Sequence, residues 1–394
     1  MAVDYTKLQS LVKDLRYRMP ADGRLPVVLL LHGLGGDRKD WMNPFQDRNW
    51  PYDHRRSPES QDMGEHKAPP VGKLPGIQTS FFLSPRLASN ANGVDGSDDR
   101  SWWQALSQSG FPAVTYSQVP RLMLPLSEGP AAEFKRFMEV LQRDVLSDPA
   151  FRLRPVVLLG HSRGGLIGRA YLGDPEVKQD KAGRFPLVRG LITLSSPHQG
   201  SQMALLDDKL LAFLQRIQDK LPDLPSDVGN QIIDTLRAKI DAFVGPYGNE
   251  VEPGSPLFRA LEEREPARQD VRYISVGGTS PRFMRVYLWS YAPSSLVPRK
   301  SADGKVAFRW QASPFEAKIA SPIPDGLPLK LLGLELDEVL PGKGDGLTAD
   351  RRCRFPATSQ TEEHISVPLS HAEELWDAGL QKRILATLQT FGHE

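Results

Sequence analysis

One cysteine in 394 residues, Cys353, leaves the chain without an internal disulfide and without a cysteine-rich metal site. That scarcity fits a reducing compartment. Net charge is nearly absent as well: 49 Lys and Arg stand against 48 Asp and Glu, a formal +1. No field of one sign is available for nucleic-acid binding or for electrostatic attachment to a membrane. No run approaches the roughly 18 apolar residues that a membrane-crossing helix needs. The first residues, Met1-Ala2-Val3-Asp4-Tyr5-Thr6-Lys7, lack the apolar stretch of a secretion signal, so the expectation is a soluble cytoplasmic protein. What is present is ordinary globular composition, 40% hydrophobic and 25% charged. The length suits one large domain with insertions, or two domains. The 34 prolines and 33 glycines imply long ordered loops around a compact core.

The most informative stretch is Val156-Val157-Leu158-Leu159-Gly160-His161-Ser162-Arg163-Gly164. An apolar, β-branched run stops at Gly-His-Ser-Arg-Gly, and an apolar helical pattern follows. Strand, sharp turn and helix are the setting of the Gly-x-Ser-x-Gly nucleophile elbow. Small residues two before and two after the serine are needed because the turn brings backbone segments together. The turn lifts the Ser162 hydroxyl clear of the sheet. It also places the hydroxyl at a helix N-terminus, where N–H groups face developing negative charge. Pro26 to Leu31 is a second continuous apolar run, the mark of a strand buried on both faces. It ends in His32-Gly33-Leu34-Gly35-Gly36-Asp37, a turn suited to the other half of an oxyanion hole. It lacks the spacing of a phosphate-binding loop.

Alternating strand and helix patterns run through the rest of the chain. Helices are read at 102–109 and 130–146. Strands are read at 113–117, 190–194, 271–276 and 364–369. A terminal helix is read from Ala372 to about Thr390, with Ser370 as its N-cap, and a short basic helix at 4–18. The pattern argues for a mostly parallel, doubly wound α/β sheet. Residues 1–201 and 266–394 form the two parts of this core, interrupted by loop insertions at 41–100 and 281–340. A β-hairpin is expected around Val306 to Trp310. Between the parts, 202–265 carries two apolar helical stripes, Leu206 to Leu221 and Val228 to Val244. This segment leaves the sheet at the strand end where ligands bind in such folds, so it is read as a helical cap. In the first insertion Trp41, Trp50, Phe81 and Phe82 supply order. Asp95, Asp98 and Asp99 lack the spacing of a calcium loop, and His54 and His66 read as surface residues.

Serine needs a general base, and the base needs a group that holds its tautomer. The chain order after an elbow is Ser, then Asp or Glu, then His. His371, just past the last strand, is the preferred base. His364 lies at that strand's far end. Asp345, between Gly344 and Gly346, is the preferred acid, with Asp350 and Asp337 as competitors. The backbone N–H groups of Leu34 and Arg163 are the expected oxyanion donors. His198 lies near the site without a role in such a triad.

Taken together, His32-Gly33-Leu34-Gly35-Gly36, Gly160-His161-Ser162-Arg163-Gly164-Gly165, Ser196-Pro197-His198-Gln199-Gly200-Ser201 and Asp345-Gly346-Leu347 resemble the α/β-hydrolase lipases and esterases, especially bacterial triacylglycerol lipases. The resemblance runs from about residue 26 to the C-terminus. It implies an α/β-hydrolase fold, a Ser162–Asp345–His371 triad, Leu34 and Arg163 at the oxyanion hole and a lid at about 202–265. It further implies hydrolysis of lipophilic carboxylic esters without a cofactor, with transient lipid-interface contact through the cap. The insertions at 41–100 and 281–340 have no counterpart in that pattern, and no calcium-ligand pair is identified.

Overall fold

In a computed structural model, the structure describes residues 25–34, 39–42, 79–84, 100–116, 126, 129–147, 154–202, 250–264, 270–281, 285–300, 306–313, 336–356 and 362–392. The readings at 4–18, at Trp50, His54, His66, Asp95, Asp98 and Asp99, and at both apolar stripes of the cap lie outside the described residues.

Six strands form one sheet: β1 (Val27–Leu31), β3 (Ala113–Tyr116), β4 (Val156–His161), β5 (Val188–Leu194), β6 (Arg272–Gly278) and β9 (Glu362–Val367). Their order is β3-β1-β4-β5-β6-β9, and every adjacent pair is parallel. This is the doubly wound arrangement expected for an α/β-hydrolase fold. The apolar run of β1 shows why it is central. Val27, Leu29 and Leu31 enter one core cluster, while Val28 and Leu30 enter another on the opposite face. Period-2 side-chain alternation makes both faces apolar only if every residue is apolar.

Helices cover both faces. On the first lie α2 (Pro130–Leu141), through Phe134, Phe137, Met138 and Leu141, and α3 (Arg163–Gly173), through Leu166, Ile167, Ala170 and Tyr171. α4 (Pro256–Glu263) joins them with Leu257, Phe258 and Leu261. On the second face lie α1 (Trp102–Gln108) and α5 (Ala378–Thr390), through Trp102, Trp103, Leu106, Leu380, Ile384 and Leu388.

Three expectations shift. The helix read at 130–146 is α-helical to Leu141 and then widens into a π-turn, Gln142–Leu146, which keeps Val145 and Leu146 buried. The C-terminal helix starts at Ala378 rather than Ala372, and its cap is Asp377, whose side chain accepts Leu380 N–H at 2.7 Å, rather than Ser370. A one-turn 3-10 segment, Glu373–Leu375, occupies the space between. The hairpin expected near residue 306 is part of a wider sheet. β8 (Val306–Ser313) pairs antiparallel with β7 (Arg285–Lys300), and β7 pairs with β2 (Thr79–Ser84). The two loop insertions thus share one three-stranded sheet.

Gly164 marks the tightest approach to backbone among the described glycines. A methyl group there would overlap the carbonyl oxygen of Leu31, the last residue of β1. Backbone in a central strand cannot step aside as a flexible side chain can. Gly164→Ala is therefore expected to destabilise the fold by about 3 kcal/mol or more, read as the midpoint shift in urea unfolding.

Candidate active site

Ser162 follows β4 directly and caps the eleven-residue helix α3. Its backbone is at φ 53° and ψ −125°, a left-handed region that a non-glycine residue occupies only when its surroundings hold it there. The Ser162 N–H donates to Leu194 O at 2.8 Å, which ties the turn to the end of β5. The serine is 6% exposed. Leu34 and Arg163 line the same pocket as Ser162, together with Leu126, Leu166, Pro197, Glu250, Val251 and Leu257. The space around these residues, counting the solvent it opens onto, is about 410 Å³. Its walls are apolar apart from the serine, Arg163 and Glu250, whose carboxylate accepts Leu126 N–H at 2.7 Å.

Asp345 lies in a tight turn that needs Gly346 at φ 101°. One carboxylate oxygen, Oδ1, accepts the N–H groups of Leu347 at 2.7 Å and Thr348 at 2.6 Å. The other, Oδ2, accepts His371 Nδ1–H at 2.8 Å. The main chains meet too: His371 N–H donates to Asp345 O at 3.1 Å. Asp345 is fully buried, which alone would raise its pKa. The nearby His371, its hydrogen bond, the Ser195 hydroxyl and the Thr348 N–H outweigh burial and hold it below the ordinary carboxylate range.

His161 brings this pair to the elbow. Its Nε2–H donates to the carbonyl of His371 at 2.8 Å, and the two imidazole rings lie 4.7 Å apart. Burial, reinforced by His371, pushes the His161 pKa down to about 3, so the ring is neutral and keeps a single donor. Trp41 meets it edge on, with centroids 6.4 Å apart. The residue immediately before Ser162 therefore carries the backbone of His371.

The competing residues are placed elsewhere and pair with one another. His364 Nε2 lies 3.0 Å from Asp350 Oδ1, and His364 Nδ1 lies 2.8 Å from Ser275 Oγ. Ser366 closes the group at 3.0 Å from Asp350 Oδ2. This is a serine, a histidine and an aspartate in a row, but it fastens β6 and β9 to the 345–352 loop, and Ser275 is fully buried. Asp337 binds Arg351 and Lys343 near the surface. His198 is buried, with Nε2 3.0 Å from Thr193 Oγ1 and its ring stacked on Phe355. Burial and Arg169 lower its pKa well below the ordinary range, so it is a neutral core histidine.

Two residues at the site had no assigned function in the sequence reading. Ser195 and Glu374 share a hydrogen bond of 2.7 Å behind Asp345. Glu374 is fully buried, and burial together with the charge of Asp345 raises its pKa well above the ordinary range. Its proton is held in the native state and released from the unfolded chain once pH passes 4.5, its ordinary value. Native Glu374 therefore favours folding below that value and loses the advantage as pH rises toward the native one. Glu374→Gln is expected to raise the thermal midpoint at about pH 8 relative to wild type, with the difference vanishing toward about pH 4.

Among the described residues, no group of three or more His, Cys, Asp or Glu side chains is placed to hold a metal ion. No helix among them is long and apolar enough to cross a membrane.

Residues 136–286 match the family model of the PGAP1-like alpha/beta domain. No curated protein matches the chain in sequence. Among solved structures the chain is similar to a Bacillus licheniformis lipase in mature form, with 15% identity, 95% of this chain and 97% of that chain covered, and a TM-score of 0.41. It is also similar to the Staphylococcus hyicus lipase, with 13% identity, 95% of each chain covered and a TM-score of 0.40. For the enol-lactonase from Burkholderia xenovorans the values are 13%, 96% of each chain and 0.33. The chain has the α/β-hydrolase fold, and its residues 136–286 are similar to the PGAP1-like alpha/beta domain.

Proposed function

We propose that the chain is a serine hydrolase of carboxylic esters, with Ser162 as nucleophile, His371 as general base and Asp345 as the group that holds His371. The observation that carries this reading is one hydrogen-bonded path. Asp345 Oδ2 accepts His371 Nδ1–H at 2.8 Å, and the His371 backbone is fixed by His161, the neighbour of the strained Ser162. The Asp345 carboxylate keeps the proton on Nδ1, so Nε2 carries the lone pair that accepts one. His371 takes the Ser162 proton as the hydroxyl oxygen attacks the acyl carbonyl. The resulting oxyanion forms at the N-terminus of α3, where the Arg163 N–H and the Leu34 N–H are the donors. His371 then protonates the leaving alcohol, and an acyl-enzyme remains on Ser162. Water, deprotonated by His371, releases the acid. Each step uses side chains and backbone of this chain, and the reaction needs no cofactor.

The pocket lining supports a lipophilic substrate class. Leu34, Leu126, Leu166, Pro197, Val251 and Leu257 offer apolar surface and no cationic partner apart from Arg163 at the helix start. A lipophilic acyl chain fits that lining, with residues 202–265 acting as a cap that meets a lipid interface. An enzyme acting on lipid esters completes the proposal.

A fluorophosphonate probe should label wild-type protein at Ser162 and leave Ser162→Ala unlabelled. Across p-nitrophenyl esters, kcat/KM is expected to rise from acetate to medium or long chains. Each methylene buried in the pocket contributes about 0.8 kcal/mol, or roughly four-fold. No labelling of folded wild-type protein would remove the enzyme reading. A steep preference for acetate would replace the lipase with a short-chain esterase.

A further inference from the structure

The Ser196-Pro197-His198-Gln199-Gly200-Ser201 stretch takes no part in the proposed chemistry, yet it reaches the acid. Gly200 is at φ 85°, and a methyl group on it would stand 2.7 Å from the backbone of Pro253. In that close approach the Ser201 N–H donates to Val251 O at 2.8 Å, which anchors Ser201 to a residue of the pocket wall. The Ser201 hydroxyl donates to Leu347 O at 2.7 Å, 146 positions along the chain. The next residue is tied to the same turn. Gln202 N–H donates to Glu338 Oε1 at 2.8 Å, and the Glu338 backbone carbonyl accepts Gly346 N–H at 2.8 Å. Ser201 and Glu338 are fully buried. Two adjacent residues beyond β5 thus hold the two residues that follow Asp345, one directly and one through Glu338.

One peptide unit carries the contact to the site. Leu347 O and Thr348 N–H belong to the same amide. Its oxygen accepts the Ser201 hydroxyl, and its N–H donates to Asp345 Oδ1 at 2.6 Å. The C=O and N–H of a trans amide point in opposite directions, so the amide lies between serine and carboxylate as a link. A donor on the carbonyl draws electron density toward the oxygen and makes the N–H a stronger donor. This is the cooperative polarisation of hydrogen-bond chains. Asp345 passes the contact on, because its Oδ2 accepts His371 Nδ1–H at 2.8 Å. Ser201, Thr348 and Asp345 are all buried, where such polarisation is little screened.

We propose that Ser201 is a positioning residue: its hydroxyl orients and polarises the Leu347–Thr348 amide, whose N–H holds the Asp345 carboxylate that orients His371. This rests on the reading of Ser162, His371 and Asp345 as a triad. No proton changes owner along the path during turnover; its effect is geometric and electrostatic. Without the hydroxyl, the amide loses its restraint at the oxygen end. The carboxylate keeps the Leu347 N–H at 2.7 Å but gains freedom to turn. The stretch ending in Ser201 then has a purpose, a brace from the pocket wall to the acid turn.

The test uses the full chain as wild type, Ser201→Ala, Gln199→Ala, Asp345→Asn and the double variant of Ser201→Ala with Asp345→Asn. Gln199 is the control because it braces the same loop off the path: its Nε2–H donates to Arg354 O at 3.1 Å. Two readouts are taken: kcat and KM on a p-nitrophenyl ester, and the downfield proton resonance of His371 Nδ1–H without substrate. Ser201→Ala is expected to lower kcat by about 3-fold to 10-fold, the value of one neutral hydrogen bond. KM should stay within about two-fold, because the hydroxyl is committed to Leu347 O. The resonance should shift in Ser201→Ala and stay in place in Gln199→Ala. In the Asp345→Asn background, loss of the hydroxyl should lower kcat no further, since both changes act through one carboxylate. Either an unmoved resonance or wild-type kcat in Ser201→Ala would overturn the proposal. So would an equal shift in Gln199→Ala, or a full additional loss in the double variant. Should Ser201→Ala fail to fold by circular dichroism, Ser201→Cys takes its place, since a thiol is a weak donor. An unmoved resonance there overturns the proposal and a shifted one supports it. The resonance is independent of turnover. A wild-type chain that takes up no fluorophosphonate would therefore end the triad reading, while the spectrum still reports on Ser201.

Discussion

His371→Ala is expected to lower kcat on a p-nitrophenyl ester by a factor on the order of 10⁶, whereas His364→Ala should stay within about ten-fold of wild type. The two histidines invite direct comparison because each ring hydrogen-bonds an aspartate. The His371 ring is turned toward Asp345 through Nδ1, and its backbone is held by His161 next to the elbow. Removing the ring leaves Ser162 without a base, and the alcohol oxygen stays a weak nucleophile. His364 instead places Nδ1 on Ser275 and Nε2 on Asp350, in a group that faces no pocket around Ser162. Its loss strands the hydrogen-bond capacity of Asp350 and Ser275 in a half-buried to buried setting. The expected effect is on stability, about 1–3 kcal/mol in urea unfolding. Full activity in His371→Ala would overturn the assignment of the base; a large kcat loss in a folded His364→Ala would reopen it.

The sequence legibility of this molecule divides by distance along the chain. β1 and β4 are readable because both of their faces are buried, so Val27–Leu31 and residues 156–159 are apolar at every position and no tertiary information is needed. The elbow was readable because its glycines answer a local crowding. The preference for His371 over His364 rests on the direction of the last strand alone. The C-terminal helix was misjudged because two residues, Ser370 and Asp377, both look like caps. Tertiary contacts select the second: the 3-10 turn carries Glu374 to Ser195 and Trp102, 179 and 272 positions upstream. Contacts of that separation leave no periodic trace. The same holds for β2 and β7, whose pairing joins the two insertions across some two hundred residues of chain. His161 was visible as a motif position, but its hydrogen bond to the His371 carbonyl depends on a neighbour 210 residues away.

Asp345→Asn should lower kcat by about 10⁴ while leaving the fold intact, the size expected when a base is held in the wrong tautomer. The geometry gives the reason. Oδ1 of Asp345 is fixed by the Leu347 and Thr348 N–H groups, so an asparagine would keep its oxygen there. Its amide NH₂ would then face His371 Nδ1, donor against donor, unless His371 moved its proton to Nε2. With Nε2 protonated, the ring cannot accept the Ser162 proton. A second consequence concerns acid. The native pKa of Asp345 lies below its ordinary value of 3.8. Between the two values the unfolded chain binds more protons than the native one. The stabilisation from Asp345 is therefore complete above the ordinary value and is lost as pH falls through the native one. Asparagine has no such proton to bind. A melting-temperature profile of Asp345→Asn should fall less steeply than wild type below about pH 4. An equal slope in both proteins would show that the His371 contact does not depress Asp345, and a kcat within about ten-fold of wild type would remove Asp345 as the group that sets the tautomer of His371.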